Sequence, residues 1–171
     1  MNAASKNWQH LAPPKSMFVD GEFMDGEATG MADIYPATGK AFADITWAST
    51  GDIERAVEAA RAGWLVWRRT PPAKRARIML EAARILRTRV REIATLETLD
   101  TGKPLQETLA VDVISGAECL EYFAAQAATF TGEHVGFAGE EGDWGYTRRE
   151  SLGVCALIGA WNYPFQIACW K

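Results

Sequence analysis

Long apolar runs, histidines and paired cysteines are all scarce in this chain of 171 residues. No stretch approaches the ~20 apolar residues that a helix needs to cross a bilayer, and the opening Met1 to Lys6 has no secretory apolar core. The expectation is a cytoplasmic protein with no membrane partner. Three scattered cysteines, an odd number, exclude a disulfide framework. Cys119 is expected on a helix and Cys155 in a buried strand, both as inert core thiols. Cys169 sits beside Trp170, but the only histidines are His10 and His134 and neither is near it in sequence, so no Cys–His pair is legible. No Gly-x-Gly-x-x-Gly fingerprint occurs, and Gly159 alone is a weak sign of a dinucleotide.

Charge of one sign is also lacking. Eighteen basic against 22 acidic residues give a net charge of -4, so no global field favours nucleic acid or an anionic membrane. Nine of the basic residues fall between Arg68 and Arg91. They alternate with an apolar stripe at helical period and lack aromatic interleaving, which reads as a solvated helix face.

What is present fits one domain of ordinary size, with 48% hydrophobic residues to build a core. Residues 1–16, with Pro13-Pro14, read as a flexible arm. Met17 to Phe23 reads as a strand turning at Asp25-Gly26, and Ala32 to Tyr35 and Ala41 to Thr46 as two more, together a small antiparallel sheet. Thr50 can cap a first helix with Asp52 and Glu54 in its first turn and Ile53, Ala56, Val57, Ala60, Trp64 and Trp67 on one face. A second helix starts at Thr70-Pro71-Pro72 and ends at Thr101-Gly102. A third runs from about Pro104 to Phe130, with Leu109, Val113, Ala117, Leu120 and Ala124 inward. The segment from Gly132 to Asp143 reads as loop, and Trp144 to Glu150 as an exposed strand.

The closing window carries the chemistry. A buried apolar run, Val154 to Ile158, is expected as a strand that breaks at Gly159 and delivers Asn162 and Tyr163 onto a turn before Pro164 opens a helix. This strand, turn and helix is the setting in which α/β proteins hold ligands. Asn162 offers an uncharged amide donor suited to an oxygen that gains charge in a reaction. Taken alone it reads first as a turn former or helix cap, and only second as such a donor. Tyr163 and Trp170 stand seven apart, one helix face, and two rings there suit either a quaternary ammonium ligand or ordinary packing.

Leu152-Gly-Val-Cys-Ala-Leu-Ile-Gly-Ala-Trp-Asn-Tyr-Pro-Phe-Gln-Ile-Ala-Cys-Trp-Lys171 resembles the aldehyde dehydrogenase superfamily, and within it the betaine aldehyde and aminoaldehyde branch. Tyr35-Pro-Ala-Thr-Gly39, Glu97-Thr-Leu-Asp-Thr-Gly-Lys-Pro104 and Gly116-Ala-Glu-Cys-Leu-Glu-Tyr-Phe-Ala124 resemble further segments of that family. The resemblance implies an α/β fold, the amino-terminal part of the family's architecture. Residues 17–131 would begin a Rossmann-like NAD(P)-binding domain, 132–150 would belong to the hairpin that bridges subunits, and 151–171 would return to the cofactor domain and end within a helix. On that expectation the piece alone is inactive and poorly soluble.

The same resemblance implies roles. Ile158, Gly159, Ala160 and Trp161 would line NAD or NADP, Asn162 would form the oxyanion hole, and Lys171 would support catalysis. Tyr163 and Trp170 would wall the substrate. Asp33, Ile34 and Asp100 would hold potassium, with Asp33 standing where threonine is more usual. The implied reaction oxidises an aldehyde, betaine aldehyde in the nearest branch, through thiolate addition and hydrolysis of a thioester. Its cysteine follows Gly-Gln-x-Cys, a pattern that precedes none of the three cysteines here, and it and the glutamate base are expected outside this sequence. A small aldehyde and a homodimer or homotetramer are the implied partners. Two alternatives stay open: an aminoaldehyde or general aliphatic aldehyde enzyme, and a non-catalytic binding or assembly protein.

Overall fold

The computed structural model describes residue 11, residues 15–137 and residues 142–171. Most of the expected arm therefore lies outside the described residues. β1 (Met17–Val19) and β2 (Glu22–Met24) form an antiparallel hairpin in which Phe18 faces Phe23, the rings 4.9 Å apart and edge to face. The turn falls at Asp20-Gly21, not at Asp25-Gly26 as expected. Both turn residues have positive φ, 52° and 86°, the requirement of a two-residue hairpin turn whose twist matches its strands.

β3 (Met31–Tyr35) pairs antiparallel with β4 (Lys40–Ile45), close to the expected bounds, and the register shifts between Asp33 and Ile34. Such a bulge re-aims the side chains beside it. Among the described residues β1 and β2 pair only with each other, as do β3 and β4, so the expected single sheet is two hairpins.

α1 (Thr50–Trp67) is capped by Ser49 rather than Thr50. The Ser49 hydroxyl accepts from the Asp52 N–H and the Asp52 carboxylate accepts from the Ser49 N–H, a reciprocal capping box. Asp52 also accepts from the Glu27 N–H at 2.9 Å, so the cap ties α1 to the strand hairpins and Asp52 is buried. Of the helix's apolar face, Ile53, Val57 and Trp67 are exposed.

The expected second helix is two, α2 (Pro72–Thr88) and α3 (Val90–Thr101). Arg89, at φ -105° and ψ 13°, leaves helical geometry and bends the chain between them. Gly102 closes α3 in the left-handed region at φ 76°, and a Cβ there would lie 3.0 Å from Pro36. The third helix is also interrupted: α4 (Leu105–Glu107) passes through a π-helical turn, Thr108–Asp112, into α5 (Val113–Gln126). At that turn the Thr108 hydroxyl bonds the Ala94 carbonyl of α3 at 3.0 Å, so the wider turn docks α5 onto α3.

The core lies where α2, α3 and α5 meet, around Ala83, Ala94, Leu99, Val113, Ala117 and Ala124. Small residues on the facing stripes let these helices approach closely. Beyond α5, β5 (His134–Gly136) pairs with β6 (Trp144–Tyr146), so part of the segment expected as loop is strand.

Among the described residues every sheet is a two-stranded antiparallel pair, and Val154 to Ile158 is not a strand. That run is exposed, with Ile158 at 81%, and Cys155 is exposed with it, against the expectation of a buried strand and a core thiol. A strand needs a neighbour for its row of N–H and C=O groups. None lies beside this run among the described residues.

Candidate functional site

α6 (Pro164–Trp170) starts on Pro164, as expected for a residue with fixed φ and no N–H. It packs on α5 through a buried amide: Gln166 Nε2 donates to Ser115 Oγ at 2.8 Å. Gly116 permits the close approach, since a Cβ there would lie 3.0 Å from Cys169 Sγ and 3.2 Å from the Phe165 ring. Cys169 is thus a packing thiol. Burial, then the neighbouring Cys119 and Glu97, push its pKa up, the wrong direction for a nucleophile.

The cap of α6 is Tyr163, with φ -142° and ψ 57°, and no side chain caps the helix. Asn162 is therefore not the cap, and its exposed amide makes no hydrogen bond among the described residues. Nor, among the described residues, do the N–H groups of Gly159, Ala160 and Trp161 enter a backbone hydrogen bond. Trp161 is 87% exposed, and nothing lies within 4 Å of a Cβ built at Gly159. The turn thus presents free donors and an uncrowded backbone, a surface to which an anionic or carbonyl oxygen can be bound.

Because Tyr163 precedes the helix, helical spacing does not set its direction relative to half-exposed Trp170. The ring is placed by another group. Lys103 Nζ lies 3.4 Å from the Tyr163 ring centroid, and the Tyr163 hydroxyl donates to Glu107 Oε1 at 3.3 Å. Lys103 also donates to Asp112 and lies 3.6 Å from Glu107. Asp112 is fully buried, and its Oδ1 has no partner among the described residues.

Glu97, on α3, completes this cluster at 5% exposure, and among the described residues neither of its carboxylate oxygens is hydrogen-bonded. The Phe165 N–H is near enough to favour its charged form but falls outside hydrogen-bond geometry. Burial, then the Asp112 charge, push the Glu97 pKa up to about 7. Burial opposes the charge of Lys103, yet Asp112, Tyr163 and Glu107 together hold its pKa above the ordinary lysine value.

None of Glu97, Lys103, Glu107 and Asp112 stands out in the sequence as a site residue. Lys103 and Glu107 have the four-residue spacing of a helical ion pair, but only the folded chain brings Asp112 and Tyr163 to them.

Asp33 and Asp100 are brought together across the β3–α3 boundary. Burial, then the Asp100 charge, push the Asp33 pKa up to about 6, and burial raises Asp100. Both line a largely apolar cavity of about 250 Å³ with Glu97, Phe42, Leu96 and Phe165. Ile34 follows the bulge and is exposed. No group of three or more acidic, histidine or cysteine side chains suited to a metal occurs among the described residues. Two facing carboxylates without a counter-charge suit a cation whose other ligands are backbone carbonyls. Lys171, at the end of α6, is exposed, and its N–H bonds the Ile167 carbonyl.

Glu97 sets a pH dependence of stability. Unfolded, it ionises near 4.5; folded, it keeps its proton to about 7, so between these values the folded state binds more protons. Stability therefore falls as pH rises through this window, and Asp33 acts in the same direction. The urea midpoint is expected to be higher at pH 5.5 than at pH 7.5. Glu97→Gln should flatten the difference; an unchanged slope in that variant would place the titration elsewhere.

The model of the aldehyde dehydrogenase family matches residues 23–171. Betaine aldehyde dehydrogenase 2 of Rhizobium meliloti (strain 1021) is 50% identical over 161 residues, 93% of this chain and 33% of that protein. Betaine aldehyde dehydrogenase of Mesorhizobium japonicum is 49% identical over 160 residues, 93% of this chain and 32% of that protein. The chain thus spans about a third of the length of these curated relatives. Among solved structures, the aldehyde dehydrogenase KauB from Pseudomonas aeruginosa superposes with a TM-score of 0.89 at 33% identity, covering 96% of this chain and 34% of that one. An indole-3-acetaldehyde dehydrogenase complexed with NAD+ gives 0.88 at 34% identity, covering 96% and 33%. The hairpins and helices of the described residues are therefore the arrangement of the amino-terminal part of that fold.

Proposed function

Since the chain belongs to the aldehyde dehydrogenase family, we propose that it supplies one wall of a site for NAD(P)-dependent oxidation of betaine aldehyde to glycine betaine. The observation that carries this reading is the free, exposed amide of Asn162 beside the unpaired backbone N–H groups of Gly159 to Trp161. The names of the relatives at about half identity support the substrate.

In this reading Asn162 donates to the aldehyde oxygen as it becomes an alkoxide, holding the charge in place without itself exchanging a proton. The backbone of Ile158 to Trp161 lines the cofactor, and the open space at Gly159 suits close approach of a ligand. NAD(P), when bound, accepts the hydride. Lys171 would support catalysis from the far end of α6. Asp33 and Asp100, with the Ile34 carbonyl, would hold potassium, which would relieve the repulsion between the two carboxylates. Residues 132–150 would bridge subunits of a homodimer or homotetramer, a role that suits the exposed rings of Phe137, Trp144 and Tyr146. A small aldehyde is the proposed substrate class, with residues 17–131 and 151–171 in one cofactor domain.

Tyr163 and Trp170 would face the trimethylammonium group. One observation favours the rival, a neutral aliphatic aldehyde: the Lys103 ammonium already covers one face of Tyr163. The two are separated in protein produced from the complete reading frame. Tyr163→Ala and Trp170→Ala should each lower kcat/KM for betaine aldehyde by roughly two- to thirtyfold, since a cation–π contact contributes about 0.5–2 kcal/mol. Turnover of propanal should change less. Equal losses on both aldehydes would assign the rings to general packing and favour the rival.

A further inference from the structure

The basic run between Arg68 and Arg91 reads in sequence as a solvated face, but folding adds residues from far along the chain to its first part. Arg68 and Arg75 meet Arg148 and Arg149 around a hollow of about 260 Å³ that Trp64 and Trp67 also line. We propose that this hollow is a binding site for a small multivalent oxyanion, a polyphosphate or polycarboxylate. The site is independent of the aldehyde reading.

Three observations carry it. First, the arginines are unneutralised. Arg55, Arg84, Arg87 and Arg89 each meet a carboxylate, whereas among the described residues Arg68, Arg75 and Arg149 meet none. The one acid in the hollow, Glu150, lies a loose 3.7 Å from Arg148. A chain of net charge -4 thus concentrates four guanidinium groups against one carboxylate here. Like charges held together repel, and an anion relieves that repulsion.

Second, the hollow is held in shape without a ligand. Arg75 Nη1 donates to the Thr70 carbonyl at 2.6 Å, and the Arg68 guanidinium stacks 4.6 Å from the Trp64 ring centroid. Trp64 Nε1 donates to Ser151 Oγ at 2.8 Å, tying the Arg148–Ser151 segment to α1. Holding the donors in place before binding reduces the ordering cost. Third, guanidinium groups bind oxyanions in bidentate pairs, and several around one small space favour a ligand with more than one charged group. The volume lies below the roughly 300–1,000 Å³ of pockets for drug-sized molecules, which selects a small ligand over an extended chain.

Trp64 and Trp67 make the site visible by fluorescence. Titrating the purified protein with pyrophosphate, and separately with citrate, at constant ionic strength should give saturable one-to-one binding by calorimetry and a change in tryptophan emission. The tighter of the two arms distinguishes phosphate from carboxylate chemistry. R68A/R149A should weaken binding at least tenfold, and R149E alone should do so if the double variant melts early. R91A, an exposed arginine outside the hollow, should leave binding unchanged. Absence of saturable binding, equal weakening by R91A, or tighter binding of a DNA duplex than of either small anion would overturn the proposal.

Discussion

Asn162→Ala, in protein produced from the complete reading frame, is expected to lower kcat/KM for the aldehyde by about a hundred- to a thousandfold, the cost of removing one oxyanion donor. The effect should fall on kcat, because the amide meets a charge that exists only as the reaction proceeds. Stability should change little. Asn162 is exposed, caps no helix and makes no hydrogen bond within the described chain, so its loss leaves no buried group unpaired. Unchanged thermal melting with a large loss of kcat would separate this role from turn formation. A lowered melting temperature with kcat intact would return Asn162 to a structural residue.

Lys103→Met carries the largest expected cost to stability. Asp112 is fully buried, with Lys103 as its ion-pair partner and Oδ1 already unpartnered, while buried Glu97 stands beside it without a hydrogen bond. Removing the cation leaves a buried carboxylate with no counter-charge, a change that costs about 3–5 kcal/mol. Against a typical total of about 5–15 kcal/mol this is a large share. Urea unfolding at pH 7 would measure it. Lys103→Met combined with Asp112→Asn should recover much of the loss, because the fully buried Asp112 charge is then gone along with its partner. A single-variant loss below about 1 kcal/mol would mean that water screens the cluster as it does a surface ion pair.

The helices were largely legible because their signals are local. Pro72 and Pro164 open helices, Gly102 closes one, and the inward positions Val113, Ala117 and Ala124 are buried as their spacing predicts. What escaped was also local but subtle. The capping serine stands one residue before the expected threonine, and the tight turn uses Asp20-Gly21 although Asp25-Gly26 is the same dipeptide. Neither choice follows from residue preference, because both candidates in each pair are favourable there.

Val154 to Ile158 failed for a different reason. An apolar run predicts a strand only if another strand lies beside it, and hydrogen bonds to a neighbour cannot be read from the run itself. The site shows the same division. Asn162, Tyr163 and the backbone from Ile158 to Trp161 are contiguous, so the sequence alone singles out this turn. That Lys103 covers the Tyr163 ring, that Asp33 faces Asp100, and that Arg148 and Arg149 join Arg68 and Arg75 are matters of tertiary packing.

By itself the sequence determined where the helical segments lie, though not their breaks at Arg89 and at Thr108–Asp112, that the final turn offers an amide ahead of a proline-started helix, and which family the chain resembles. These depend on chemistry within a few residues or on long stretches of matching order. Only the tertiary structure decided which charges are buried, paired or opposed. Desolvation and Coulomb interaction depend on distance in space, and groups such as Lys103 and Tyr163 become neighbours only when α6 packs on α5.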